Sequence, residues 1–263
     1  MIRTALALAV SLGIATSALA AEVKVLTAGA FKPVVQDLAD RFAAGGDRLV
    51  IENDTAGALM RRIEGGEAFD VVVVTDQGIE RLRTQGRITE PMRLAEVGIA
   101  IAVRDGAARP DISTPEAFRA ALLAARSVAY IDPKAGGSSG IYLNALFDRL
   151  GIGEAIRAKA VLVPGGLVAT RVASGEAELG LHQLSEILVV PGVTVVGPLP
   201  AAYQSVTSYA GGVSATTAYP DAARRLMAML ADATTTAALD RRGMRRPSGE
   251  AKGINPDRLP AAR

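Results

Sequence analysis

The sequence predicts an α/β fold of two lobes, each with a mostly parallel sheet and flanking helices. Apolar runs with strand character alternate with segments whose apolar residues repeat at helical spacing, which is typical of parallel sheets covered by helices. These units fall into two sets, residues 21–100 and 105–200. Two longer extended segments, Ala95–Val103 and Tyr203–Ala215, lie at the edges of the second set. They predict a hinge of two crossing strands between the lobes.

Seven runs rich in Val, Ile and Leu have the composition of buried strands. They are Val23–Thr27, Leu49–Glu52, Val71–Thr75, Val97–Val103, Val128–Ile131, Val161–Val163 and Val193–Val196. The segments between them place apolar residues on one face of a helix. They are Pro33–Ala44, Ala58–Ile63, Pro115–Ala125, Ser139–Leu150 and Ala222–Ala231.

The first 20 residues predict an export signal rather than part of the fold. Arg3 precedes the apolar run Ala5–Ala15, and Ala18-Leu19-Ala20 has the small-x-small pattern of a cleavage site before Ala21. The alternative, a membrane anchor, needs about 20 apolar residues, more than this run supplies. We therefore expect a cleaved signal peptide and a mature protein in a bacterial periplasm.

The remaining chain divides into two lobes and a tail. We expect residues 21–100 and 216–242 to form lobe 1, because the last helices return to it, and residues 101–215 to form lobe 2 with the hinge strands. Residues 243–263 contain several Pro and Gly residues, and five Lys or Arg against two acidic residues. They predict a flexible basic tail.

Composition excludes several classes of protein. With 263 residues, 49% of them hydrophobic, the chain is not disordered. Its 29 Lys and Arg against 27 Asp and Glu do not indicate a nucleic-acid binder. Without cysteine and with one histidine, a thiolate or multi-histidine metal centre is impossible. We expect no metal ion and no cofactor, and the missing Gly-x-Ser-x-Gly motif disfavours a serine hydrolase.

The strand-to-helix loops carry the candidate binding residues. In open α/β sheets, ligands bind beyond the carboxyl ends of the strands, where helix N-termini present N–H groups that suit an anion. The candidates are Ala28, Gly29, Ala30 and Lys32 in the first loop, Thr55, Ala56 and Gly57 in the second, Thr75 in the third, Gly137, Ser138, Ser139 and Gly140 in the fourth, and Gln183 in the fifth.

The fourth loop, Asp132–Gly140, gives the strongest signal. Its glycine N–H groups and two serine hydroxyls resemble an oxyanion cradle, but it lacks the Gly-Lys-Ser/Thr ending of a nucleotide-binding loop. Each candidate also has a structural alternative. The fourth loop could be a capped turn, Lys32 a solvated charge, Thr55 a helix cap, and His182 a buried structural residue.

In order along the chain, several motifs resemble the molybdate-binding family of type 2 periplasmic solute-binding proteins. They are Val23–Ala30, Gly57-Ala58-Leu59 with Arg62-Ile63-Glu64, Ala68–Val72, Asp132-Pro133, Gly140-Ile141-Tyr142, Leu150-Gly151 and Gly175–Gly180. The resemblance covers almost the whole mature chain. It implies the two-lobed type 2 periplasmic binding protein fold, with an anion held in the cleft between the lobes.

The departures from that family point to one of its branches. Molybdate binders hold the oxyanion with serine hydroxyls in the first two loops and a tyrosine in the fifth, where this chain has Ala30, Ala56 and Gln183. The segments Gly175–Glu186 and Val196–Pro200, with the Gly-Gly-Ser-Ser-Gly loop, resemble the branch that includes the periplasmic aconitate isomerases. That resemblance implies a small polycarboxylate ligand.

Two functions follow as expectations. The first is a solute-binding protein of an ABC-type transporter, binding an organic polycarboxylate or an oxyanion such as molybdate; its partner is a transporter permease, and it acts as a monomer because its lobes must be free to close. The second is an aconitate isomerase that interconverts cis- and trans-aconitate without a metal ion. In that case His182, Lys32 and Ser139 are the catalytic candidates.

Overall fold

The computed structural model describes residues 20–247, so the predicted signal peptide, apart from Ala20, and residues 248–263 lie outside it. The strands are Glu22–Ala28 (β1), Arg48–Asp54 (β2), Val71–Thr75 (β3), Ile88–Arg104 (β4), Val128–Ile131 (β5), Ala160–Val163 (β6), Leu179–Gln183 (β7), Val193–Pro198 (β8), Val206–Ser214 (β9) and Met244–Arg245 (β10). The helices are Lys32–Asp37 (α1), Ala39–Ala43 (α2), Ala56–Glu64 (α3), Asp76–Thr84 (α4), Pro115–Ala124 (α5), Ser138–Arg149 (α6), Gly153–Arg157 (α7), Ala169–Ala173 (α8), Leu184–Ile187 (α9), Pro220–Ala231 (α10) and Thr236–Arg241 (α11).

The first sheet is covered by helices on both faces. Strands β2, β1 and β3 are parallel, and β9 joins β3 to the first part of β4 in antiparallel pairing. Val71 and Val73 face a core formed with α1, α2 and α10, whereas Val72 and Val74 face a core formed with α3 and α4. This alternation along β3 explains why its sequence is an uninterrupted apolar run.

The second sheet repeats the plan. Strands β6, β5 and β7 are parallel, and the last part of β4 pairs antiparallel with both β7 and β8. One face packs on α5, α6 and α7 through an aliphatic and aromatic core that includes Phe118 and Phe147, and the other packs on α8. The predicted α/β class, with sheets between helices, is confirmed.

Strand β4 passes from one sheet to the other without a break. Gly98 is its last residue paired with β9, and Ile99 is its first residue paired with β7. Gln204 lies beside this crossing: its amide accepts a hydrogen bond from the Ile99 N–H at 2.9 Å and donates one to the Ile99 carbonyl at 3.0 Å. The side chain therefore supplies the two bonds that a neighbouring strand would make.

The second crossing is shorter than the sequence predicts. Residues 199–205 lead from β8 to β9, and β9 lies wholly in the first sheet. The sequence instead predicts Tyr203–Ala215 as a hinge strand within lobe 2. The side chains of Tyr209 and Val213 pack into the first lobe's core, which draws the strand there.

Two other predicted segments differ from the structure. The helix expected over Pro33–Ala44 is divided at Leu38 into α1 and α2. The start of the predicted flexible tail is fixed, because β10 pairs with β4 and the Arg246 guanidinium donates to the carbonyls of Leu94, at 3.2 Å, and Leu230, at 2.8 Å. No helix within residues 20–247 is long and apolar enough to span a membrane.

Gly140 is a packing position in this fold. It lies in the first turn of α6, where a β-carbon would overlap the carbonyl oxygen of Ile131 at the end of β5. We expect Gly140→Ala to lower the free energy of unfolding by about 1–3 kcal/mol, because the helix must move away from the strand. Denaturant unfolding measures the change. The neighbouring Ile141 is 52% exposed, so Ile141→Ala should cost only about 0.5 kcal/mol, and equal effects would contradict the packing role.

Candidate functional site

A cleft of about 460 Å³ lies where the carboxyl ends of strands from both sheets face each other. Residues from the loops after β1, β2, β5 and β7 line it, as the switch-point rule for α/β sheets predicts. Ten of the predicted ligand contacts are in this lining, together with His182: Ala28, Gly29, Ala30, Lys32, Thr55, Ala56, Gly137, Ser138, Ser139 and Gln183. The structure therefore brings residues that are distant in sequence into one site.

The N-terminus of α6 forms one wall of the cleft. Gly137 is its N-cap residue and no side chain caps the helix, so the first-turn N–H groups lie beside the hydroxyls of Ser138 and Ser139. Free N–H groups and the positive end of the helix dipole favour a bound anion. The Gly-Gly-Ser-Ser-Gly loop thus lies at the cleft, and the anion cradle that it predicts stays a prediction.

Gln183 connects this wall to the hinge. Its amide nitrogen donates to the hydroxyl of Ser138 at 3.2 Å and to that of Thr207 at 2.9 Å. Its amide oxygen is buried and has no hydrogen-bond partner within residues 20–247. The amide is therefore held in place at the position where molybdate binders are expected to have a tyrosine hydroxyl, with its oxygen left unpaired.

The opposite wall carries one cation. Lys32 is the only Lys or Arg in the lining that the structure describes, and its ammonium donates to the Asn53 side chain at 2.8 Å. The nearby Asp54 carboxylate accepts from the N–H of Thr55 at 2.7 Å. Lys32 thus supplies a positive charge to a ligand, while the two alanines at positions 30 and 56 supply no side-chain donor.

The two lobes touch at the edge of the cleft. The hydroxyl of Thr55 donates to the carbonyl of Ala135 at 2.6 Å, and the N–H of Gly57 donates to the carbonyl of Gly136 at 3.0 Å. A β-carbon on Gly57 would lie 2.8 Å from the α-carbon of Gly136, so both glycines are needed for this approach. These contacts join the two lobes at the edge of the cleft.

Three predicted ligand contacts lie outside the lining. The N–H of Gly57 is used in the contact between the lobes, and Gly140 packs on β5. The hydroxyl of Thr75 accepts from the Gly78 N–H at 3.3 Å and caps α4. Thr55 both caps a helix and lines the cleft. Its hydroxyl accepts from the Ala58 N–H of α3 at 3.2 Å and still faces the cleft.

A buried pair of titratable groups lies at the junction of the lobes. Nε2 of His182 is 3.2 Å from Oε2 of Glu186, and the two side chains are 3% and 9% exposed. Glu186 lies against the end of β1, since a β-carbon on Gly29 would be 2.5 Å from its Oε1. A larger residue at position 29 would therefore push this carboxyl from its place.

Burial decides the charge of the pair. It raises the pKa of Glu186 to about 8 and lowers the pKa of His182 to about 3. Although the separation would suit an ion pair, desolvation favours the uncharged forms of both groups. Near pH 7 the pair is therefore a neutral imidazole beside a protonated carboxyl.

Two further lining residues escaped the sequence analysis. Glu186 follows His182 by four positions, but a glutamate in a loop gives no sign of burial. Tyr209 lies on β9 and faces the cleft, and burial together with the nearby Glu186 raises the pKa of its hydroxyl. Because the sequence predicts this segment as a hinge strand, Tyr209 is not among the predicted site residues. Within residues 20–247 no three His, Cys, Asp or Glu side chains are grouped to hold a metal ion.

The pair should make stability depend on pH. In the unfolded chain Glu186 releases its proton near its usual pKa of 4.5, but in the folded protein it keeps it up to about 8. The folded state then binds more protons, so the free energy of unfolding falls as pH rises towards 8. His182 has the opposite effect below its usual pKa of 6.5, because there the unfolded chain binds a proton that the folded protein does not. The fall in the free energy of unfolding is therefore visible above that pH.

We expect Glu186→Gln to remove this fall between pH 6.5 and 8, measured as urea unfolding of the ligand-free protein. The matched control is Glu176→Gln, because Glu176 is an exposed carboxylate paired with Arg171. The same pH slope in the wild type and Glu186→Gln would show that Glu186 is ionised in the folded protein.

Several known proteins are similar to this chain. A relative from Pseudomonas sp., an aconitate isomerase, is 36% identical over 230 residues, which are 84% of this chain and 86% of that protein. The periplasmic molybdate-binding protein of Azotobacter vinelandii superposes with a TM-score of 0.70 at 23% identity, over 86% of this chain and all of that one. The sulfate-binding protein SubI of Mycobacterium tuberculosis superposes with a TM-score of 0.68 at 17% identity, over 87% of this chain and 88% of that one.

The two structural likenesses confirm the predicted binding-protein fold. The likeness to the isomerase confirms the predicted resemblance to its branch. The family model for bacterial extracellular solute-binding proteins matches residues 23–245, nearly the whole described chain. The chain therefore belongs to the bacterial extracellular solute-binding protein family.

Proposed function

We propose that this solute-binding protein holds a small organic polycarboxylate in the cleft between its lobes. The observation that carries the proposal is the donor set on two facing walls: the α6 N-terminus with Ser138 and Ser139 on one side, and Lys32 on the other. Separate donor groups on opposite walls suit a ligand whose carboxylates are several bonds apart. A volume of about 460 Å³ is also generous for a six-carbon tricarboxylate.

The same walls make a tetrahedral oxyanion a poorer ligand. A compact anion such as molybdate needs donors converging from all sides, and Ala30 and Ala56 provide no hydroxyl where the molybdate binders have serines. Each missing hydrogen bond to a charged group costs about 1.5–3 kcal/mol. The relative that is an aconitate isomerase supports the polycarboxylate class, since aconitate is a tricarboxylate.

The setting follows from the family. Residues 1–20 are proposed as the cleaved signal peptide, the protein as a periplasmic monomer, and an ABC-type transporter as the partner that recognises the closed form. The contacts of Thr55 and Gly57 with the second lobe support such a form, because they link the lobes only when the cleft is shut.

Isomerisation of the bound ligand is the second candidate function. The specific observation in its favour is the His182–Glu186 pair, since a transport protein that only binds does not need a buried proton donor in its cleft. The Pseudomonas relative adds support. Of the catalytic candidates from the sequence, Lys32 and Ser139 also line the cleft, but Lys32 is held by Asn53.

A thermal-shift screen with product analysis tests both functions. The mature protein is tested with cis-aconitate, trans-aconitate, citrate, molybdate, sulfate and phosphate, and each sample is then examined by chromatography. A polycarboxylate at 100 times its Kd should add about 2.7 kcal/mol of stability. Stabilisation without conversion supports binding alone, conversion of aconitate supports the isomerase, and stabilisation by molybdate in place of the polycarboxylates would refute the ligand class.

Ser139 provides a test of the site itself. Its side chain is 97% buried and lies in the cleft at the α6 N-terminus. We expect Ser139→Ala to weaken binding of the stabilising polycarboxylate by about 1–3 kcal/mol, measured by calorimetry. Ser174→Ala, at an exposed serine far along the second lobe, is the matched control. A loss of less than about 0.5 kcal/mol for Ser139→Ala, as for an ordinary surface change, would remove this wall from the site.

A further inference from the structure

We propose that Glu186 is the catalytic residue that moves the proton during isomerisation, and that His182 accepts the proton which Glu186 carries at rest. This inference rests on the isomerase candidate above. Nothing in the sequence resemblance assigns Glu186 a role.

The position of Glu186 is the first argument. It belongs to the short helix α9, directly after β7, and its carboxyl reaches across to Gly29 at the end of β1. It therefore lines the cleft at the point where both lobes meet. A ligand held between the α6 N-terminus and Lys32 has this carboxyl beside it.

The surroundings of the pair are the second argument. Nδ1 of His182 and the hydroxyl of Ser185 are buried, with no hydrogen-bond partner in the described part of the chain. The other titratable groups that face the cleft are Tyr209, Lys32 and Asp54. A buried carboxyl next to a neutral imidazole can pass one proton to it over 3.2 Å without any net change in charge.

The competing groups are less suited to take a proton from carbon. The ammonium of Lys32 has no free electron pair and donates to Asn53. Asp54 is half-buried, and its carboxylate already accepts the Thr55 N–H at 2.7 Å. Burial raises the basicity of the Glu186 carboxylate, and Nε2 of His182 lies close enough to take the proton that Glu186 carries at rest.

The step balances without an oxidant or a metal ion. The Glu186 carboxylate removes a proton from the methylene carbon of aconitate, which breaks one C–H bond. The electron pair forms a new double bond to the central carbon, and the former double bond shifts its pair to the vinylic carbon. Glu186 returns the proton to that carbon, forming one C–H bond. The geometry of the new double bond is set by how the ligand is held, so cis and trans forms interconvert.

The test compares wild type with Glu186→Gln under saturating aconitate. We expect the variant to lose conversion by at least about 100-fold, the usual contribution of a general acid–base group, while its Kd for aconitate changes by less than about tenfold. In deuterium oxide the wild type should place solvent deuterium on the product methylene carbon to the extent that the proton on Glu186 exchanges with solvent before it is returned, and the variant should incorporate none. Glu176→Gln, an exposed carboxylate change, should behave as wild type.

His182→Gln supplies a readout that a purely structural role would not move. Without His182, the Glu186 proton must leave to solvent, so the pH optimum of conversion should shift upwards. An unchanged optimum would overturn the part assigned to His182.

The outcomes separate this proposal from the function on which it rests. A wild type that binds aconitate but neither converts nor deuterates it refutes the isomerase and this role together. Conversion that survives in Glu186→Gln and is lost in Asp54→Asn overturns this role alone. If Glu186→Gln fails to fold or bind, Glu186→Asp decides: it keeps the acid, so a measurable rate with an altered pH profile supports the role, and an inactive but ligand-binding variant overturns it.

Discussion

The continuity of strand β4 through both sheets is the constraint on which the rest of this structure depends. Because one strand ends its pairing with β9 at Gly98 and begins its pairing with β7 at Ile99, the lobes share a backbone and their binding loops face each other. The Gln204 amide satisfies the polar groups of Ile99 at the crossing. A buried backbone group without a hydrogen-bond partner there would destabilise the fold by about 1–3 kcal/mol. The Gln204 side chain therefore lets the strand pass between two sheets without this loss.

The junction of the lobes, next to this crossing, also buries a polar group, the carboxyl of Glu186. The loop after β7 starts at the residue that pairs with Ile99 and reaches the end of β1 through Glu186. Water is displaced from this junction by packing from both sides, and removal of water is what keeps the carboxyl protonated. The hinge geometry and the proton chemistry proposed for the cleft thus have one physical origin.

Much of this arrangement could be predicted from the sequence. Uninterrupted apolar strands such as Val71–Thr75, followed by helical spacing, predicted the fold, and the Gly-Gly-Ser-Ser-Gly loop predicted the α6 wall. Local sequence patterns do not predict the role of a residue where its contacts with residues distant in sequence determine that role. The sequence predicts a ligand contact at Gly57, but its N–H donates to the carbonyl of Gly136, which comes from the other lobe. Glu186 was missed because its burial depends on Gly29, more than 150 positions earlier.

If the cleft holds the proposed polycarboxylate, it is an oxyanion cradle adapted to organic acids by small changes. A molybdate-type site saturates a compact dianion with hydroxyl donors, and replacing two of those serines by Ala30 and Ala56 removes donors and adds space at the same time. The charge supplied by the protein is then low, with Lys32 as the single cation of the described lining. A protonated carboxyl offsets this, because it can donate a hydrogen bond to a ligand carboxylate without bringing a negative charge of its own. The same carboxyl, once its proton is shared with His182, is a base in a dry site, so ligand recognition and proton transfer require no separate machinery.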